Sequence, residues 1–269
     1  MNSGNATVVR QPIVQLSERD QKILAHVGLF GLSTFEVIHY RYFKGKQRDA
    51  VKSTLRRLCG KSPTFRYLRP IPLYGSRVAY QITRRGANVV GFSPGLARPL
   101  GIQSRVERLA VLNFIHDSKH EKKRRLISNR RLREHFPLAG HRLPRQRFFI
   151  EERPDGDYLG FIVVDHGGHE RRIVRKAVSF LQRFVKRGWF DDYLRSGQFV
   201  LTILTLNDFK ARAISYGLKK LLKEILGKPL AGLHAPYPRG WPLPVEIVVV
   251  PGVINLLPGK SASTKRRRK

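Results

Sequence analysis

The chain predicts a mixed α/β protein in two parts: a small helical region closed by a β-hairpin, then a domain built on a mixed sheet. Three observations carry that reading. Residues 16–59 repeat a pattern of capping signal, apolar helical stripe and glycine stop. Residues 66–83 hold two strand-like runs about a turn with Gly75. Beyond residue 146, apolar β-branched and aromatic runs alternate with amphipathic helices.

The first region, 16–92, follows a loose arm over 1–15 that has no periodicity. Ser17 opens a helix with Asp20 as capping-box partner. Leu16, Ile23, Leu24, Val27 and Phe30 form its apolar face, and Gly28 and Gly31 mark its end. Ser33 with Glu36 is a second capping box, opening a helix through about residue 42. Gly45 breaks the chain before a third helix over 47–59, which buries Val51, Leu55 and Leu58 and stops at Gly60. The strand-like runs 66–72 and 78–83 then form a hairpin. Helix, helix, helix and two-stranded wing is the order of a winged helix-turn-helix. The third helix carries Arg48, Lys52, Arg56 and Arg57 beside its apolar stripe, and the wing carries Arg77. A helix so placed enters the major groove, where Arg reads guanine edges and Lys and Arg hold phosphates.

Residues 93–145 read as a linker. Pro94, Gly95, Pro99 and Gly101 mark a boundary. A helix follows over 102–117, with Ile102, Val106, Leu109 and Leu112 on one side. The stretch 119–133 is dense in cations, and Lys122, Lys123, Arg124, Arg130 and Arg131 are expected to grip phosphate.

The α/β domain is expected over 146–258. Residues 148–150 and 158–164 read as strands about Pro154-Asp155-Gly156-Asp157, itself a common hairpin turn. Residues 171–187 make the best helix of the chain. Ile173, Val174, Ala177, Val178, Leu181, Phe184 and Val185 share one face. Placed about 100° apart, Arg172, Arg175, Lys176, Arg183, Lys186 and Arg187 fall on the other. Trp189, Phe190 and Tyr193 follow, either as core or as a platform for bases. A buried strand over 199–206, a helix over 209–226 with Lys219, Lys220 and Lys223, and a strand over 245–250 complete the domain. Residues 236–242 form a rigid Pro-rich loop of no assigned role, and 259–269 form a basic tail.

Composition points to the partner. Lys and Arg number 52 against 19 Asp and Glu, a formal net charge of +33 on 269 residues, and the excess runs through the whole body. Such a body repels itself unless a polyanion neutralises it, and nucleic acid is the common polyanion. At 41% hydrophobic residues the chain can still bury a core. The single Cys59 leaves no intramolecular disulfide framework and no Cys-rich zinc site. His166 and His169 flank Gly167-Gly168, a turn spacing that makes a poor metal site, so no metal is assigned. No secretory pattern or membrane-length apolar run is present, so a cytoplasmic, nucleoid- or plasmid-associated protein is expected.

Two stretches together resemble the bacterial replication-relaxation family, proteins associated with plasmids and integrative elements. The first runs from Leu16-Ser17-Glu18-Arg19-Asp20 to Ala79-Tyr80-Gln81-Ile82-Thr83-Arg84-Arg85-Gly86-Ala87. In that family this last step closes the wing and starts a helix. Residues 105–113 also look like the family's linker helix. The second stretch is Pro154-Asp155-Gly156, then Val163-Val164-Asp165-His166-Gly167 and 173–176; the similarity spans 16–210. The resemblance implies a second domain related to the PD-(D/E)xK nuclease-like fold. In active members of that fold, acids on adjacent strands hold a divalent cation and a Lys assists the attacking water. Asp155 maps onto the first acidic position. The (D/E)xK triplet falls on Val163-Val164-Asp165, where Val163 supplies no ligand and Asp165 stands in place of Lys.

The expected function is binding of double-stranded DNA in replication or mobilisation of a plasmid-like element, without a cofactor. A second copy of the chain or other replication or mobilisation proteins are the further partners considered. One alternative is a Mg²⁺-dependent nickase using Asp155, Asp165 and Lys176. The other is a winged-helix transcriptional repressor.

Overall fold

The computed structural model describes residues 15–60, 65–73, 77–116, 123–137, 143–144, 146–205, 207–226 and 245–250. Most of the expected arm, the 236–242 loop, the basic tail and Lys122 lie outside the described residues. The class is mixed α/β, with a three-stranded sheet and a mixed five-stranded sheet.

Helix α1 (Glu18–Phe30) begins where the capping signal places it. Ser17 Oγ accepts the Asp20 N–H and the Asp20 carboxylate accepts the Ser17 N–H. Gly31 ends the helix at φ 83°, a left-handed conformation that costs glycine little. The second box is shifted by one residue. Ser33 sits in a two-residue strand β1 (Ser33–Thr34), and Thr34 caps α2 (Phe35–Tyr42) by accepting the Val37 N–H. The hydroxyl of Ser33 instead meets His26 Nε2 at 2.9 Å. Helix α3 (Arg48–Cys59) buries Val51, Thr54, Leu55 and Leu58. Strands β2 (Leu68–Pro72) and β3 (Val78–Ile82) pair antiparallel, and β1 adds to the far edge of β3.

Thr83 closes this unit. It accepts the Gly86 N–H to cap α4 (Arg84–Val89) and donates its hydroxyl proton to the Arg66 and Tyr67 carbonyls. Gly86 is required there, because a Cβ would lie 2.3 Å from the Tyr67 carbonyl oxygen. Buried Gln81 ties β3 to a 3₁₀ turn (Pro94–Ala97). It accepts from Arg69 and donates to the Leu96 and Arg98 carbonyls.

The expected linker does not behave as one. Helix α5 (Ile102–Ile115) packs on one face of the large sheet, its Leu109, Leu112 and Phe114 sharing a core with Phe149, Ile162, Val164 and Leu204. Strand β4 (Lys123–Leu126) is the edge of that sheet, and α6 (Asn129–His135) follows. The α/β body therefore starts near residue 102, not 146. Strands β5 (Phe148–Arg153) and β6 (Gly156–Val164) extend the antiparallel meander. Helix α7 (Glu170–Lys186), the short α8 (Asp191–Arg195), strand β7 (Phe199–Thr205), helix α9 (Asp208–Leu226) and strand β8 (Val245–Val249) complete it. β6, β7 and β8 run parallel, in the sheet order β4-β5-β6-β7-β8. α7 and α9 cover the face opposite α5.

Phe30, Leu32 and Ala79 of the first region join the α5 core, and Gln146 Nε2 donates to the Gly28 and Leu29 carbonyls. The two regions thus share a hydrophobic core. No helix among the described residues is long and apolar enough to cross a membrane.

Candidate nucleic-acid interface

Burial of Val51, Leu55 and Leu58 fixes which side of α3 faces outward. Arg48, Lys52 and Arg56 recur at four-residue spacing and are all exposed. Arg48 lies over the Phe35 ring at 4.7 Å, and Lys52 pairs with Asp49 at 2.9 Å. Such an exposed i, i+3 pair is worth a few tenths of a kcal/mol and yields readily to a phosphate. At twelve residues α3 is about 18 Å long, enough to cross a major groove about 12 Å wide. Arg77 is exposed at the start of β3.

Arg57 departs from the expectation. Its guanidinium makes two bonds, 2.7 and 2.8 Å, to the Asp20 carboxylate, whose side chain is 1% exposed. Burial pushes the Asp20 pKa up, but Arg57 and Ser17 outweigh it and hold the group below the ordinary value. Arg57 is therefore the strut between α3 and α1.

Arg124 is a clearer correction. Its side chain is 2% exposed, bonded to Glu151 at 2.8 Å and Glu246 at 3.2 Å, and it lies 4.0 Å from the Phe114 ring centre. Alternation along β4 sends Arg124 inward and Lys123 and Arg125 outward, so Arg124 cannot reach a phosphate. Arg130 and Arg131 remain exposed on α6, Arg130 paired with Glu134, and both line a cleft of about 790 Å³ with Gly28, Phe92, Leu132 and Gln146.

On α7, Arg172, Arg175, Arg183, Lys186 and Arg187 are exposed and the seven expected apolar residues are buried. Lys176 is half-buried. Burial lowers its pKa, as does Arg147, while Glu107 opposes them. Trp189 and Phe190 are core residues and offer no platform, since Phe190 packs on Phe136, Phe148, Phe184 and Phe199.

The proposed acidic pair is not assembled. Asp155 lies in the β5–β6 turn, accepting the Tyr158 hydroxyl at 2.6 Å. Asp165 lies just past the other end of β6, whose nine residues separate the two by about 30 Å. Val163 is buried in the core under α7. Asp165 is buried, bonded to Lys210 at 2.6 Å, Thr205 at 3.3 Å and the Gly167 N–H at 3.0 Å. This set does not fit Mg²⁺, which needs several converging anionic ligands.

A different group gathers near Asp165. Arg147, entering β5, bonds Glu107 of α5 at 2.7 Å, and His166 Nε2 is 3.4 Å from the same carboxylate. Burial alone would raise the Glu107 pKa, but His166, Arg147 and Arg108 bring it down to about 2. Sequence reading missed Glu107, Arg147 and Lys210. Their partners are 40, 40 and 45 positions away, and no local pattern marks them. Among the described residues no cluster of three or more His, Cys, Asp or Glu could hold a metal ion.

Comparison with protein-family models, curated proteins and solved structures finds no match. The candidate interface therefore rests on geometry alone: an outward basic stripe on α3, exposed Arg77 on the β2–β3 hairpin, and a second basic face on α7.

Proposed function

We propose that this chain is a DNA-binding protein that recognises duplex through α3 and the β2–β3 hairpin, with α7 adding general affinity. The observation that carries the reading is the stripe Arg48, Lys52 and Arg56, exposed on a helix whose opposite side is fixed in the core. In this reading the first region is a winged helix. The second is a nuclease-like body in which Asp165 has gone over to a structural ion pair with Lys210 and Asp155 to a turn hydrogen bond with Tyr158. The resemblance to the replication-relaxation family extends the proposal to replication or mobilisation of a plasmid-like element.

Selection from random duplexes tests it. The wild type should enrich a motif that Arg56→Ala flattens. Arg175→Ala with Arg183→Ala should weaken all sequences about equally. Failure to enrich any sequence would overturn the recognition role of α3. The nickase alternative loses support from the separation of Asp155 and Asp165. Supercoiled plasmid with Mg²⁺ or Mn²⁺ should stay intact, and nicking abolished by Asp155→Ala would reverse this. A repressor would footprint at a promoter, whereas the proposed protein would footprint at an origin.

A further inference from the structure

α9 carries a feature that duplex binding does not use. Along this nineteen-residue helix, Phe209, Arg212, Tyr216, Lys219 and Lys220 fall within an arc of about 100°. Asp208, the acid of the first turn, falls outside that arc. Phe209 is 81% exposed and Tyr216 78%. By contrast, Phe148, Phe161, Phe184, Phe190 and Phe199 of the same body interlock in its core. Burying an aromatic ring is worth about 1.5–3 kcal/mol, and both α9 rings forgo it.

The stripe is held firmly. Ile214 and Leu218 are buried under it, and Gly217 brings α9 close to α7, since a Cβ there would lie 3.3 Å from Val174. Lys210 anchors the first turn to Asp165. The two rings, seven residues apart, are separated by about 10 Å along the axis, roughly three nucleotide rises of a strand.

We infer that this face of α9 is a stacking surface for unpaired nucleotides, an inference that rests on the reading of the chain as a nucleic-acid binder. Flat rings interleaved with cations suit bases whose faces are open, and the cations track the backbone. A duplex hides those faces. A second copy of a chain of charge +33 would meet electrostatic repulsion at a stripe of the same sign.

The test uses the full chain and two labelled probes, a short oligo(dT) and a blunt-ended two-strand duplex, read by anisotropy. Phe209→Ala with Tyr216→Ala should lower oligo(dT) affinity at least about 10-fold and leave duplex affinity and the melting temperature unchanged. Phe209→Tyr should restore stacking to the Phe209→Ala protein's site. Arg56→Ala should do the opposite, weakening duplex and sparing oligo(dT). Undiminished oligo(dT) binding by the double variant overturns the inference, as does an equal loss on both probes. A sedimentation change in the double variant would reassign the face to self-association and also overturn it. If the wild type binds neither probe, the nucleic-acid reading itself fails, which is a separate outcome.

Discussion

Adjacent residues on α3 have different surroundings, and the consequence can be measured. Arg56 is exposed, whereas Arg57 is fastened to buried Asp20. Arg56→Ala should therefore lower DNA affinity with the melting temperature intact. Arg57→Ala should cost roughly 1–3 kcal/mol in urea unfolding, the cost of leaving Asp20 buried without its cation, moderated by solvent at the guanidinium. Asp20 has a depressed folded pKa, so its contribution is present above the unfolded value and is lost as pH falls through the folded one. Arg57→Ala should flatten that acid-side loss. An unchanged urea midpoint would contradict the strut. Gly86→Ala should also destabilise, by about 1–3 kcal/mol, because the Tyr67 carbonyl occupies the space. The Thr83-x-x-Gly86 step was visible in the sequence, but its cause, a carbonyl 19 residues earlier, was not. Arg57 and Arg124 were misread for the same reason, since Asp20 and Glu151 lie 37 and 27 positions away.

Elements were legible where one periodicity decided the matter. α7 shows its two faces as the spacing requires, because burial on one side alone suffices to specify it. β4 was not legible, since a four-residue basic strand has no local signature and forms only against β5. The acidic pair failed at this level too: two acids in adjacent motifs proved to be at opposite ends of one strand. The contact between the two regions should add its own pH dependence to stability. His26 and His116 have ring centres 5.3 Å apart, and Arg41 Nη1 donates to His116 Nδ1 at 3.2 Å. Burial, then the Arg41 charge, lowers the His116 pKa to about 3; burial, then His116 and Arg41, lowers His26 well below its usual range. Both stay neutral when folded, while the unfolded chain takes up protons below about pH 6.5. Stability should therefore fall as pH drops from 6.5 toward 3, by up to about 1.4 kcal/mol per pH unit for each histidine. His116→Gln should show a shallower loss between pH 6.5 and 5 in denaturant titrations, and a slope equal to wild type would rule the histidine out as its source.

At the scale of the whole molecule, the charge of +33 is what supports the proposed polyanion partner. Ion pairs such as Arg124–Glu151, Arg147–Glu107 and Lys210–Asp165 bind cations into the fold, while others among the described residues stand exposed on α3, α6, α7 and α9. Each phosphate neutralised releases counterions, so affinity should fall steeply with salt. The central claim is that α3 grips duplex DNA, and the most direct measurement is the salt dependence of duplex affinity for wild type beside Arg48→Ala/Lys52→Ala/Arg56→Ala. With six or more phosphate contacts, wild-type affinity should drop about 10³-fold or more between 50 and 200 mM salt. The triple variant should show a slope shallower by about 2–3. A flat wild-type curve, or a triple variant with the wild-type slope and affinity, would contradict the account.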